Sequence, residues 1–216
     1  MILNGNEKIV FIGDSITDCE RARPVGEGTG DSLGRSYVSI VNAMLTVIYP
    51  TQNIRVVNMG ISGNTTRELV DRWQTDVLDL EPDWLTIMIG INDVWRHFNR
   101  PLMPEVHVGI QEYEENLLKL TQSSQAQGSR LILMSPFYLE TNREDAMRKM
   151  MDQYGQAAQR VAKQCDAIFV DIQAAFDEYL SHHYTTKLAM DRVHPNMIGH
   201  LIIARAWLNA VGFEWS

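Results

Sequence analysis

The stretch Ile9-Val10-Phe11-Ile12-Gly13-Asp14-Ser15 decides the fold class. Its first four residues form a continuous apolar run, which is typical of a strand buried on both faces of a parallel sheet. Gly13 ends the run and allows a sharp turn, so Asp14 and Ser15 come directly after the predicted strand. Because ligands bind beyond the carboxyl ends of strands in open parallel sheets, the Ser15 hydroxyl is placed to act as a nucleophile. Glycine, aspartate and serine also favour turns, so a plain turn is the better interpretation of this stretch taken alone.

Apolar runs alternate with segments of helical periodicity along the rest of the chain. Four further strands are predicted over residues 54–59, 84–89, 131–134 and 168–170, with helices between and after them. We expect Asn64 to cap a helix over residues 65–80, since asparagine is a favoured N-cap residue. The alternation predicts an α/β fold: one three-layer α/β/α domain over residues 1–216, with a five-stranded parallel sheet.

Composition and charge limit the partners and the location. Hydrophobic residues make up 45% of the 216 residues and charged residues 21%, which is typical of a soluble globular protein. A net charge of -8 argues against nucleic acid and anionic membranes as partners. The sequence shows no secretory signal and no membrane-spanning run, so we expect a cytoplasmic protein whose thiols, Cys19 and Cys165, stay reduced. The number of subunits stays open, a homo-oligomer included.

The stretch Asp191-Arg192-Val193-His194-Pro195 near the end of the chain supplies the groups that a serine nucleophile needs. A hydroxyl becomes nucleophilic when a base takes its proton, and the base works better when a carboxylate orients it. Asp191, three residues before His194 in a non-helical loop, can reach Nδ1 and leave Nε2 for Ser15. Asp171, which follows the last predicted strand, is a rival for the acid.

Four short motifs occur along nearly the whole chain in this order: Gly13-Asp14-Ser15, Gly60-Ile61-Ser62-Gly63-Asn64, Gly90-Ile91-Asn92-Asp93 and Asp191-Arg192-Val193-His194. They resemble the blocks of the GDSL, or SGNH, hydrolase family. The resemblance implies a flavodoxin-like sheet with strand order 2-1-3-4-5 and places the triad acid beside the histidine, at Asp191. It also implies an oxyanion hole made by the N–H groups of Ser15 and Gly63 and the side-chain amide of Asn92. Without the other blocks, Gly63 and Asn92 would each suit a cap or a turn.

The longer matches Gly-Asp-Ser-Ile-Thr-Asp, Gly-Ile-Ser-Gly-Asn-Thr and Ile-Gly-Ile-Asn-Asp-Val-Trp are similar to those of bacterial acetylxylan esterases. This resemblance implies a carbohydrate O-deacetylase that removes acetyl groups from xylo-oligosaccharides through an acyl-enzyme. Trp95, at the end of the third match, suits stacking on a sugar and packing in the fold equally well. The second glycine of the Gly-x-Ser-x-Gly elbow is absent after Ser15, which disfavours an ordinary α/β-hydrolase.

Two alternative functions stay open from the sequence. A lysophospholipase or thioesterase would use the same triad with an apolar tunnel for a long acyl chain. A metal-dependent phosphohydrolase would instead use Asp14 and Asp18 as metal ligands. The histidines lack the close spacing of a zinc site such as His-Glu-x-x-His, so we predict no metal site and no cofactor.

Overall fold

A five-stranded, wholly parallel sheet forms the centre of the computed structural model, which describes residues 1–215. The strands are β1 (Lys8–Gly13), β2 (Arg55–Asn58), β3 (Trp84–Met88), β4 (Arg130–Met134) and β5 (Ile168–Val170). Their order in the sheet is β2-β1-β3-β4-β5, and every neighbouring pair is parallel. The predicted strands and their order are therefore confirmed.

The helices of the described residues cover both faces of this sheet. They are α1 (Ser15–Asp18), α2 (Tyr37–Ile48), α3 (Thr66–Asp76), α4 (Ile91–Asn99), α5 (Ile110–Ala126), α6 (Ala146–Gln164), α7 (Ile172–Leu180) and α8 (Met197–Ala210). Helices α2 and α7 pack against α8, and helices α3 and α6 pack against α5. The α/β/α layering predicted from the alternating pattern is thus confirmed.

The first strand is completely buried, as its continuous apolar run predicts. The side chains of Ile9 to Ile12 have no exposed surface. The Phe11 ring lies 5.9 Å from the Tyr37 ring of α2 and 5.2 Å from the Trp207 ring of α8. Because alternate residues of a strand point to opposite faces, Val10 and Ile12 pack into the other layer. Strand β1 therefore delivers its carboxyl end from the middle of the molecule.

The start of helix α3 differs from the expectation, because Thr65 and not Asn64 is its N-cap. The Thr65 hydroxyl accepts the N–H of Arg67 at 3.2 Å, and the Glu68 carboxylate accepts the N–H of Thr65 at 2.6 Å. This reciprocal arrangement is a capping box, which satisfies two free N–H groups at once and so prevails over a single asparagine. The helix ends at Asp76, and residues Leu78–Leu80 form a separate 3₁₀ turn.

Two further expectations concern the thiols and the membrane. Cys19 and Cys165 are both free thiols in the structure. Across residues 1–215, no helix combines the length and the apolar character that crossing a membrane would require.

Candidate active site

The turn after β1 places Ser15 at the carboxyl end of the sheet. Gly13 pairs with Met88 of β3, and a Cβ atom on Gly13 would lie only 2.4 Å from the Met88 carbonyl oxygen. Only glycine therefore fits at the end of this strand. Asp14 caps α1 by accepting the N–H of Ile16 at 2.9 Å, which makes Ser15 the first residue of the helix. Within residues 1–215 the Ser15 N–H donates to no protein acceptor, so it is available to a ligand.

The structure brings Ser15, His194 and Asp191 together in one hydrogen-bonded chain. The Ser15 Oγ lies 2.9 Å from His194 Nε2, and His194 Nδ1 lies 2.6 Å from Asp191 Oδ2. Because an ionised Asp191 can only accept, the Nδ1 atom donates and the Nε2 atom is left to accept from the serine. Asp171, the rival acid, instead caps α7 by accepting the N–H of Ala174 at 2.9 Å.

Asp191 is held in the ionised form by its own loop. Its Oδ1 atom accepts the main-chain N–H groups of Val193 at 3.0 Å and His194 at 2.9 Å. Burial opposes ionisation, but the side-chain and main-chain hydrogen bonds from His194 and Val193 outweigh it and lower the pKa of Asp191. A carboxylate in this position orients the imidazole and stabilises the imidazolium that forms when the serine loses its proton.

Trp95 lies beside the histidine of this chain. Its ring centroid is 5.9 Å from that of His194, and the two rings meet edge to face at 66°. Trp95 is half-buried on α4, one turn after Asn92. The indole therefore packs against the imidazole, and its remaining exposed surface borders the site.

The loop 60–64 and the start of α4 carry the two other predicted oxyanion donors. Gly63 has a φ of 84°, in the left-handed region that favours glycine, and within residues 1–215 its N–H donates to no protein acceptor. Asn92 lies in the first turn of α4 and is 3% exposed. Its Nδ2 atom donates one hydrogen to the main-chain carbonyl of Asn64 at 3.0 Å, which leaves the second hydrogen for a ligand.

Asp18 ties the loop 60–64 to the helix that begins with Ser15. Its Oδ2 atom accepts both the N–H and the hydroxyl of Ser62, each at 2.9 Å, and an ion pair from Arg23 at 2.7 Å. Burial by itself would raise the pKa of Asp18, but the hydrogen bonds from Arg23 and Ser62 outweigh it and lower the pKa. Sequence reasoning considered this residue only as a metal ligand, and the structure instead gives it a role in positioning the loop.

Two other carboxyl groups under the site are completely buried. Burial, together with the nearby charge of Asp93, raises the pKa of Asp14 to about 7, although the Ile16 N–H opposes the rise. Burial likewise raises the pKa of Asp93 to about 6 against the hydrogen bonds from Thr66. Asp14 serves as a helix cap through its bond to the Ile16 N–H. The described residues contain no group of three or more histidine, cysteine or acidic side chains that could hold a metal ion.

A buried histidine and a thiol lie directly beneath the nucleophile. His200 of α8 accepts the N–H of Tyr37 at its Nδ1 atom, at 3.2 Å, and its Nε2 atom lies 3.5 Å from Cys19 Sγ. The Cys19 thiol also lies 3.3 Å from the Ser15 carbonyl oxygen. Burial lowers the pKa of His200 to about 4, and nearby His194 adds to the effect. His200 is thus a neutral core residue.

The chain is similar to several known proteins. A model of the GDSL-like lipase/acylhydrolase family matches residues 11–202. An acetylxylan esterase from Geobacillus stearothermophilus is 52% identical over 215 residues, which cover 100% of this chain and 98% of that protein. The crystal structure of that esterase, Axe2, has a TM-score of 0.98 to this chain over the same shares of the two chains.

Further solved structures match the chain with the same TM-score. LAE5, described as an α/β hydrolase enzyme from the metagenome of Lake Arreo, Spain, is 47% identical with a TM-score of 0.98, and the match covers 100% of both chains. Structures of Axe2 variants described as catalytic mutants carry the changes S15A, D191A and H194A.

Proposed function

The chain belongs to the GDSL-like lipase/acylhydrolase family, and on this basis we propose that it is a serine esterase that removes acetyl groups from xylo-oligosaccharides. The observation that carries the reaction type is the continuous hydrogen-bonded chain from Ser15 through His194 to Asp191. The acetylated substrate is supported by the 52% identity, over the whole chain, to an acetylxylan esterase.

In the acylation step, Ser15 Oγ attacks the carbonyl carbon of the acetyl ester while His194 Nε2 takes the hydroxyl proton. Asp191 stabilises the imidazolium that forms. The carbonyl oxygen becomes an oxyanion, and the N–H groups of Ser15 and Gly63 and the Asn92 amide donate to it. His194 then gives its proton to the sugar oxygen as the ester C–O bond breaks, which leaves an acetyl group on Ser15.

In the deacylation step, water takes the place of the sugar. His194 Nε2 accepts a proton from the water as its oxygen attacks the acetyl carbon, and the same donors hold the second oxyanion. The bond to Ser15 Oγ breaks, the proton on His194 returns to the serine, and acetate leaves. The balance of both steps is ester plus water to acetate, one proton released to solvent, and the free hydroxyl of the sugar.

The alternative functions are less well supported. An acetylxylan esterase is similar to this chain over its whole length, which favours a short acyl group over a lysophospholipase or thioesterase substrate. Asp14 and Asp18 serve as a helix cap and a loop tie, which disfavours a phosphohydrolase built on them.

The test compares kcat/KM for p-nitrophenyl acetate, butyrate and octanoate, and then for acetylated xylo-oligosaccharides, with Ser15→Ala as the control. We expect the rate constant to fall as the acyl chain lengthens, and acetate release from the oligosaccharides to depend on Ser15. A preference for octanoate would contradict the acetyl specificity. Turnover by a folded Ser15→Ala variant would contradict the serine mechanism.

A further inference from the structure

One largely buried side chain, that of Arg72 on α3, joins three segments that meet at the site. We propose that Arg72 is a positioning residue, which fixes the nucleophile turn and the oxyanion loop relative to each other. The inference rests on the proposed esterase function and adds to it a residue that contacts no reacting atom.

The contacts of Arg72 reach the ends of two strands and the oxyanion loop. Its Nη2 atom donates to the carbonyl of Gly13 at 3.1 Å, and its Nη1 atom donates to the carbonyl of Met59 at 2.8 Å. Its Nε atom donates to Asn64 Oδ1 at 2.7 Å. Gly13 is two residues before Ser15, and Met59 leads into the loop 60–64. A single rigid group therefore sets the spacing between the segments that carry the nucleophile and Gly63.

Through its contact with Asn64, Arg72 also influences the position of the Asn92 amide. Arg72 holds the side chain of Asn64, while the main-chain carbonyl of Asn64 accepts the Nδ2 hydrogen of Asn92 at 3.0 Å. A shift of Asn64 would therefore turn the amide that is proposed to donate to the oxyanion. The Gly13 carbonyl also accepts the N–H of Ile61 at 3.0 Å, so the arginine and the loop share one acceptor.

A purely structural arginine would not need this set of acceptors. Asp76, one helical turn away, already pairs with Arg72 at 2.7 Å, and the arginine side chain is 13% exposed. The three other hydrogen bonds that Arg72 donates all go to groups next to the site. The planar guanidinium can place three donors in fixed directions, whereas lysine offers one ammonium nitrogen. Since a misplacement of about 1 Å can lower a rate about 100-fold, such positioning has a measurable effect on catalysis.

Arg67, on the same helix, offers a matched control. Its guanidinium donates to Glu112 and to the carbonyls of Glu105 and His107, each carbonyl at 2.8 Å, so it also joins several segments. None of its acceptors belongs to the turn after β1, to the loop 60–64 or to the His194 loop. Arg67→Met therefore removes a comparable set of bonds without touching the proposed positioning contacts.

The experiment measures kcat, KM and melting temperature for Arg72→Met and Arg67→Met, with p-nitrophenyl acetate as substrate. For Arg72→Met we expect kcat to fall about 10- to 100-fold with KM changed less than about 3-fold. For Arg67→Met we expect a lower melting temperature with kcat close to that of the wild type. A kcat of Arg72→Met within about twofold of the wild type, or equal losses in the two variants, would overturn the inference.

A second readout separates positioning from loss of stability. A small alkylboronic acid forms a tetrahedral, negatively charged adduct when a serine oxygen adds to boron, and so imitates the transition state. Because such analogues report transition-state complementarity, the inhibition constant should rise for Arg72→Met by the factor by which kcat/KM falls. It should stay unchanged for Arg67→Met. Unchanged inhibition of Arg72→Met would contradict the positioning role even if the variant were less stable.

Two milder variants keep the test decisive if Arg72→Met does not fold. Arg72→Lys retains the charge but not the fork, and Asn64→Ala removes one acceptor while keeping the carbonyl that binds Asn92. Both should lower kcat by about 3- to 30-fold, and wild-type kcat in both would overturn the inference. Ser15→Ala, measured beside them, distinguishes the two proposals. If Ser15→Ala stays active, the esterase mechanism fails. If Ser15→Ala is inactive while Arg72→Lys and Asn64→Ala are both fully active, only the role of Arg72 is contradicted.

Discussion

The two sides of the proposed active site are built in different ways. On the nucleophile side, the polar groups around Ser15 and the oxyanion loop are buried: Asp14 is 1% exposed, Asp18 4% and Asn92 3%. On the histidine side, the side chains of Asp191 and His194 are 43% and 45% exposed. The first side is held by bonds between segments far apart in the chain, whereas on the second side the Asp191 carboxylate is held by bonds within one short loop.

This difference determines how far the effect of a substitution spreads. On the buried side each group has several partners, so removing one leaves others unsatisfied or displaced. On the exposed side Asp191 bonds only to residues two and three positions further on. We therefore expect substitutions on the buried side to have large effects on kcat or stability. On the exposed side we expect large effects only where a substitution removes a reacting group.

The largest expected effect is that of removing the nucleophile. Ser15→Ala should lower kcat for p-nitrophenyl acetate by about a million-fold, which is the size of effect seen when a serine triad loses its nucleophile. The methyl group of alanine disturbs no buried partner, so circular dichroism and the melting temperature should stay those of the wild type. Substantial turnover by this folded variant would remove Ser15 from the mechanism.

The next effect concerns the oxyanion. Asn92→Ala removes an amide that is proposed to donate mainly in the transition state, so kcat should fall about 100- to 1,000-fold with KM little changed. The variant also loses the bond to the Asn64 carbonyl, and we expect a lower melting temperature as well. A lower melting temperature with unchanged kcat would show that Asn92 serves the fold alone.

The features of the site that depend on neighbouring residues were the easier ones to predict from the sequence. A spacing of three residues allows Asp191 to pair with His194, and the family resemblance selects it over Asp171. Strand β1 and the turn after it follow from one apolar run that ends in glycine. Thr65 could also have been found as the helix cap, because Glu68 stands three residues after it. The contacts of Arg72 had no such signal, since its partners include main-chain carbonyls of distant segments. No residue pattern encodes an acceptor that every residue carries.

Stability at acidic pH tests the buried side through His200. Its pKa is lowered to about 4 in the folded protein, mainly by burial, whereas an unfolded histidine titrates near 6.5. Below pH 6.5 the His200 side chain binds a proton in the unfolded chain but not in the folded protein. The contribution of His200 to the free energy of unfolding is therefore lost as the pH falls from about 6.5 to about 4. Asp14 and Asp93, whose pKa values are raised, change stability in the opposite direction over part of this range.

Comparing the wild type with His200→Asn isolates this contribution. The free energy of unfolding should be lower in the variant at pH 8, and the difference should shrink by about 2–3 kcal/mol by pH 4.5. Urea unfolding at several pH values measures it, and the two carboxyl groups cancel because both proteins contain them. A difference that stays constant with pH would show that His200 is not held neutral by burial.

The smallest expected effect belongs to the exposed side, at the ion pair between Arg192 and Glu140. The pair is 2.6 Å long and joins the His194 loop to the segment after β4, but the Arg192 side chain is 48% exposed. An ion pair this accessible contributes about 0–1 kcal/mol, because water and salt screen it. The same two segments are also joined by the N–H of Leu139, which donates to the Arg192 carbonyl at 3.0 Å and is retained in any side-chain variant.

Arg192→Ala should therefore lower the free energy of unfolding by no more than about 1 kcal/mol and kcat by less than about fivefold. Measuring both at low and high salt checks the screening, since the small difference should narrow as salt is added. A loss of kcat as large as that of Asn92→Ala would contradict the comparison, because it would mean that the histidine loop depends on distant contacts as strongly as the nucleophile side does.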